Sequence, residues 1–395
     1  MTSQKIQEYL KGHWQSLAAY GALLGVLGIA LIWQLNSLTP GYADSEVNTY
    51  NHSLSFRAIL DNPLNAPFLI ATRVLMYIHP DSYLVTRIVS VVAGATVLVI
   101  FAALLRHWHS TRTAIFGTLL FGLSAWFLHT ARLGTPDVLM FGVFVLAAAG
   151  FWLKQSNSWL ALLACFVGAT LLLYIPGMIW FIFFGLIWQW KAVDRVFKKH
   201  LLAVTGGAVL MLAALAPLGL ALYKHHELIK PYLGLPAGWP TPWEMLRNLL
   251  EAPFHLLVRN SQDPVTWLGT APILDVFTLV MFGLGIFLYL KQWRLARTPI
   301  FLFIFIVSLG LMTIGSTAIT YTVVMPFVYI IAAGGLTYLL GEWFRVFPRN
   351  PIARSIGWSL MGIVVGLACL YQLTHYFVGW PQASATHKAF THQQP

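Results

Sequence analysis

Two carboxylates one residue apart, Asp44 and Glu46, open the first polar stretch of this chain, in Gly41-Tyr42-Ala43-Asp44-Ser45-Glu46. A carboxylate beside an acceptor hydroxyl can take its proton, and two carboxylates at this spacing can share a hard divalent cation. The same residues also suit the first turn of a helix, Asp44 as a cap and Glu46 as a solvated acid. A second ionisable group lies in His129-Thr130-Ala131-Arg132-Leu133-Gly134-Thr135-Pro136-Asp137. Arg132 can orient the acids through an ion pair or stabilise a departing anion. It can also bridge Asp137 as a purely structural pair. Arg73 and Arg87 flank the start of the second apolar run, and Lys224, Lys230, Arg247 and Arg259 fall in a later polar segment. His225-His226-Glu227 looks like a metal cluster only superficially, because adjacent histidine side chains diverge. No metal ligands are assigned, and the one open cofactor is a cation held by Asp44 and Glu46.

The elements that must position these groups are membrane helices. Of 395 residues, 58% are hydrophobic and only 9% charged, against roughly 25% charged in soluble domains. Apolar runs repeatedly reach the ~20 residues a helix needs to cross hydrocarbon. Backbone groups in lipid must be satisfied internally, so the predicted fold is an all-α polytopic bundle in a single domain, 1–395. Eleven spans are expected: 17–36, 84–105, 114–129, 138–153, 159–174, 177–190, 201–223, 273–290, 300–315, 321–341 and 355–373. The run 159–190 is interrupted by Tyr174-Ile175-Pro176-Gly177 and reads as two short spans or a broken hairpin. The polar, weakly basic start leads into a full-length run and reads as a retained first helix rather than a cleaved signal. Cys165 and Cys369 sit inside apolar runs, as buried packing residues.

With the N-terminus cytoplasmic, fifteen of the 24 Lys and Arg fall on inside segments, with only three of the 13 carboxylates. That is the positive-inside pattern. It explains the net charge of +11 by contact with anionic headgroups, without nucleic acid. It also places the C-terminus, Asp44, Glu46, Arg132 and Asp137 outside. Two polar loops face that side, 37–83 and 224–270. The second contains Thr241-Pro242-Trp243-Glu244, a capping box with proline at the first helical position. An amphipathic helix over 242–259 follows, with Trp243, Leu246, Leu250, Phe254 and Leu257 on its apolar face, lying on the outer leaflet. The first loop is expected to hold one short helix over about 45–60, and the tail from 380 to be loosely ordered.

These pieces together resemble the GT-C glycosyltransferases, and more narrowly the protein-mannosyltransferase and aminoarabinose-transferase branch in a short, bacterial-type form. Gly41 to Glu46 resembles the acidic motif that opens the family's first external loop. Asn65-Ala66-Pro67-Phe68 is similar to its Lys/His-Pro-Pro-Leu element. Arg87 to Gly94 is similar to Arg-x-x-Ser-x-x-x-Gly, and Thr130 to Phe141 to Ser-Arg-x-x-x-x-Asp-x-Leu-x-Phe. Tyr321 to Pro326, followed by Ala332-Ala333-Gly334-Gly335, resembles the late Tyr-x-x-x-x-Pro span. The match is concentrated in residues 35–150. The family's acidic residues are adjacent, whereas Ser45 separates them here, and Asn65 stands where a cation is common.

The resemblance implies a polyprenyl-phosphate sugar donor and an acceptor hydroxyl on a glycan, lipid or protein. It implies inverting transfer by direct attack, on the outer face of a plasma membrane. Asp44 or Glu46 is then the catalytic base. Arg132, Arg73, Arg87, Arg259 and Asn65 are candidates for the phosphate side of the substrate, and Asp137 and Tyr321 for its other contacts. A transporter or lipid flippase is the competing reading. Transporters carry internal repeats and midplane charges, whereas no repeat is found here and the charges sit at the outer edge. A non-catalytic assembly subunit is a third.

Overall fold

The structure is a computed structural model describing residues 3–394 except 80, 81, 157, 259–264, 266, 267, 270, 296 and 316–320. It is built almost wholly from helices. In the first third these are α1 (Ser3–Ile32), the two-residue strand β1 (Tyr42–Ala43), α2 (Asp44–Ser53), α3 (Phe56–Asp61), α4 (Ala66–Met76), α5 (Leu84–Trp108), α6 (Thr111–Gly122) and α7 (Ala125–Arg132). A 3-10 turn at Pro136–Phe141 leads into α8 (Gly142–Ser156). The middle comprises α9 (Trp159–Leu173), α10 (Ile179–Trp188), α11 (Trp190–Lys199), α12 (Leu201–Lys224), α13 (Ile229–Tyr232) and α14 (Pro242–Leu257). The chain closes with α15 (Val276–Lys291), α16 (Thr298–Thr313), α17 (Met325–Val346), α18 (Pro351–Thr374), α19 (Ser384–Ala389) and β2 (Phe390–His392).

Among the described residues, five helical stretches are long and apolar enough to cross a membrane: Leu84–Trp108, Pro136–Ser156, Leu201–Lys224, Met325–Val346 and Pro351–Gly379. Helices α6 and α7 make a sixth only as a broken span, bent by 61°. The other runs expected to span form shorter apolar helices, among them Ala18–Ile32, Trp159–Leu173, Ile179–Trp188, Val276–Lys291 and Thr298–Thr313. The run 159–190 is indeed divided, at Tyr174.

The break between α6 and α7 has a local cause. Ser124 caps α7 by accepting from Phe127 N at 3.3 Å, and its own hydroxyl donates to Phe121 O at 2.7 Å. The first amide of α7, Ala125 N, would be an orphan donor. Buried Gln372 of α18 accepts from it at 3.0 Å and donates with its other amide atom to Asp275 Oδ2 at 3.0 Å. Asp275 in turn caps α15, accepting from Thr278 N at 2.9 Å and Thr278 Oγ1 at 2.6 Å. A sharp bend inside the bundle is thereby left with satisfied polar groups.

Helices α15 and α17 pack backbone to backbone. A Cβ on Gly285 would lie 1.9 Å from Ile331 O, and one on Gly335 would lie 1.9 Å from Met281 O. Small residues permitting close approach are the usual device for helix pairs in lipid, where tails are as apolar as the helices. Aromatic rings fill the centre: Phe101, Phe121, Phe127, Phe141, Phe144 and Phe327 are fully buried, and Phe101 and Phe121 meet at 4.5 Å between centroids.

Two loop expectations change. The first loop holds three helices, α2, α3 and α4, because Ser55 starts a new helix by accepting from Arg57 N at 3.2 Å. The tail is ordered: β2 pairs antiparallel with β1, Tyr42 opposite His392 and Ala43 opposite Phe390. Helix α14 covers Pro242–Leu257 of the expected 242–259, and Arg259 lies outside the described residues. Thr241 Oγ1 accepts from Glu244 N at 3.3 Å, and Glu244 accepts from Thr241 N at 2.7 Å. Its Trp243, Leu246, Leu250 and Phe254 remain exposed, the disposition of an apolar face that meets lipid.

Candidate active site at the first loop

The two carboxylates have opposite environments. Glu46 sits on the third residue of α2 and is fully buried, at 0% exposure. Its Oε1 accepts from Arg87 Nε at 2.7 Å and Gly134 N at 2.9 Å. Its Oε2 accepts from Arg87 Nη2 at 2.8 Å and Ala43 N at 3.0 Å. A carboxylate offers about four acceptor positions, so none remains for a substrate or for a cation shared with Asp44. Arg87 is equally committed. Nη1 donates to Leu35 O at 2.9 Å, Nη2 also reaches Gly41 O at 3.1 Å, and the guanidinium lies 4.2 Å from the Tyr42 ring centroid. The pair therefore ties the segment after α1, β1, α2, α5 and the turn after α7 into one unit. Gly134 is needed there because a Cβ would meet Thr86 Oγ1 at 2.1 Å.

Asp44, two residues earlier, is the first residue of α2, and its side chain is 86% exposed. It is hydrogen-bonded to His392 Nε2 on β2. The local sequence explains the split. Residue three of a helix can fold back onto the amide before the helix, whereas residue one points away from it.

Arg132 ends α7 and is 3% exposed. It does not pair with Asp44, Glu46 or Asp137. Nη1 donates to Ala30 O at 3.3 Å and Nη2 to Trp33 O, carbonyls at the end of α1. The rings of Tyr376 and Phe377 lie 5.2 and 4.8 Å from the guanidinium carbon, and Nε has no partner. Arg132 thus carries a buried charge with no anion against it among the described residues. It lines a small cavity with Thr39, His129, Tyr376, Trp380 and Phe390.

The remaining candidates scatter. Asp137 accepts from Thr135 Oγ1 at 3.2 Å. Arg73 lies over Phe56 and Tyr77, with its Nε buried and unpartnered. Asn65 adopts a left-handed backbone (φ 61°) at the start of α4, where its amide donates to Tyr174 O at 2.8 Å. Tyr321 is buried and donates to Ala252 O at 2.9 Å. Arg259 lies outside the described residues. His225 and Glu227 meet at 3.2 Å on the surface, and among the described residues no three His, Cys, Asp or Glu gather closely enough to hold a metal.

Sequence reasoning passed over the tail. His129 donates to Val265 O at 2.6 Å and packs edge-on to Trp380 at 4.9 Å; Trp380 and Phe390 complete the wall of the cavity, and His392 meets Asp44. The two aromatics and the histidine in a polar tail were the only signal.

The helices pack around a first loop that is itself helical and tied to the bundle through Glu46 and Arg87. Among solved structures, the crystal structure of ArnT from Cupriavidus metallidurans in the apo state matches with a TM-score of 0.54 at 13% sequence identity, covering 95% of this chain and 78% of that one. At that identity the likeness is one of fold. No protein-family model and no curated protein matches the sequence. The five long apolar helices make the chain an integral membrane protein.

Proposed function

We propose that the chain is a membrane glycosyltransferase that moves a sugar from a polyprenyl-phosphate donor to an acceptor hydroxyl outside the cytoplasm. The observation that carries this reading is Arg132. A buried cation without a counter-ion costs several kcal/mol, and an anionic ligand entering the aromatic-walled cavity relieves that cost. A lipid phosphate matches the chemistry of the guanidinium, which would donate to its oxygens once the cavity widens to admit it, with the polyprenyl chain running along the apolar helices. The ArnT-like fold supports a lipid-linked donor.

In the proposed step the acceptor oxygen attacks the anomeric carbon while its proton passes to Asp44. The bond between that carbon and the phosphate oxygen breaks, its electron pair stays on the phosphate, and Arg132 stabilises the charge that develops. Attack opposite the leaving group inverts the anomeric centre. Asp137 contacts sugar or acceptor hydroxyls, and Arg73 is the second cation for the donor. Glu46 and Arg87 hold the loop and do not react. The proposed topology has eleven spans, the N-terminus in the cytoplasm and the site on the outer face of a plasma membrane.

The test is turnover of polyprenyl-phosphate hexoses and pentoses by the protein in nanodiscs, read as release of polyprenyl phosphate. Asp44→Asn is expected to lose at least about 10²-fold in kcat, the usual weight of a general base, with donor binding intact. Full activity in Asp44→Asn, or no turnover of any donor by the wild-type protein, sinks the proposal.

A further inference from the structure

The end of the chain reaches the first loop from some 350 residues away and places a histidine on its exposed acid. The strand that carries it is held by many other contacts. Phe390 is 1% exposed and packs edge-on to Trp380 at 5.5 Å. Thr386 Oγ1 donates to Trp380 O at 2.7 Å, and Gln394 Nε2 donates to Tyr42 Oη at 2.6 Å and to Asn36 Oδ1 at 3.3 Å. Gly41 lets the backbones close, since a Cβ there would stand 2.5 Å from His392 O. β2 would therefore stay in place without the bond between His392 and Asp44. That bond does not serve to anchor the tail.

We propose that His392 is a positioning residue for Asp44, resting on the reading of Asp44 as the base. The register shifts between the two pairs, so the neighbours Tyr42 and Ala43 on β1 face His392 and Phe390, two residues apart on β2. Phe390 walls the cavity of Arg132 while His392, two positions on, meets Asp44, so one strand sets the spacing between the proposed phosphate contact and the base. The Nε2–H of His392 holds Asp44 Oδ1 and leaves Oδ2 to take the acceptor proton. An exposed carboxylate at a helix start otherwise rotates freely, and fixing it supplies the near-attack geometry that a proton transfer needs. The elements packed against this pair also carry Tyr42, Glu46, Arg87, His387 and Lys388. Glu46 and Arg87 are bound to one another, and Tyr42 is bonded to Asn36 and Gln394, which leaves His392 as the partner of the base.

The experiment is a double-mutant cycle on the full-length protein in nanodiscs, with the polyprenyl-phosphate sugar that the wild type turns over. His392→Ala is expected to lower kcat about 10- to 100-fold, the range for a hydrogen bond to a charged group, with the donor KM unchanged and the same Tm. His392→Gln, whose amide can donate to the same oxygen, recovers most of the loss. In the Asp44→Asn background, His392→Ala adds little, because both changes act through one carboxylate. Unchanged kcat in His392→Ala beside an inactive Asp44→Asn overturns the role of His392 alone. Additive losses, or no recovery with glutamine, overturn it as well. An active Asp44→Asn overturns the base itself and with it this inference.

Discussion

Replacing Glu46 by glutamine separates its structural role from catalysis. The change is nearly isosteric, yet it reverses the polarity of one end of the side chain. If the oxygen remains at Oε1, the new amide nitrogen faces Ala43 N and Arg87 Nη2, which now donate at 3.0 and 2.8 Å. If the amide flips, the nitrogen meets Arg87 Nε and Gly134 N instead, at 2.7 and 2.9 Å. Either way two donors oppose a donor, and the guanidinium is left charged inside the protein. Breaking one partner of a buried pair costs about 3–5 kcal/mol, a shift of at least about a hundredfold in the folded-to-unfolded ratio. The assay is yield of monodisperse protein and Tm in detergent. Glu46→Gln is expected to fall sharply in both. Adding Arg87→Met to it should restore part of the stability by removing the stranded charge. Asp44→Asn, at an exposed position, should leave both unchanged. A Glu46→Gln protein that folds like the wild type and loses turnover, beside an active Asp44→Asn, would refute the assignment and make Glu46 the base.

Arg132→Met should weaken polyprenyl-phosphate binding at least about tenfold while leaving Tm equal or higher, since the change removes a buried charge with no counter-ion; a large fall in Tm with binding intact would show that its two carbonyl contacts, not a ligand, are its purpose. Gly285→Ala should cost about 1–3 kcal/mol or more by forcing α15 off α17, seen as a lower Tm and unlike the same change at Gly283, where no atom stands within 4 Å of a Cβ. His109, between α5 and α6, is held down to about 4 by burial and by Arg297. Unfolded, it would titrate near about 6.5, so its contribution is complete above that pH and is lost as pH falls from about 6.5 to 4, by at most about 3 kcal/mol. His109→Gln should flatten the fall in Tm across that window, and an unchanged slope would count against the assignment.

The class of fold was legible because lipid imposes a simple rule on the sequence: long apolar runs with charge pushed to their ends. The cap at Thr241 was legible because a capping box is local. The acid pair was found, but not which acid does what. That depends on Arg87 and Gly134, 41 and 88 residues away, and no local spacing encodes burial. Arg132 was expected either against a carboxylate or on the departing phosphate. The structure gives it the carbonyls that end α1, because Arg87 comes from α5 to occupy the acid first. The tail was misjudged for a related reason: Phe390–His392 is too short to show alternation, and its partner strand lies at the other end of the chain. The eleven expected spans exceed the long helices found because α1, α9, α10, α15 and α16 are short or only partly apolar, and length alone cannot separate a tilted bundle helix from a re-entrant one.

The pairing of β1 with β2 also counts membrane crossings. Two hydrogen-bonded strands must lie on one side of a bilayer, so the chain crosses it an even number of times between Ala43 and Phe390, however the short helices are assigned. Each helix judged to span must therefore be matched by another, which rules out half of all conceivable topologies. The same pairing has a consequence during synthesis. The segment facing Asp44 follows α1 to α19 in the chain, so the wall of the candidate site is completed only after those helices have been synthesised.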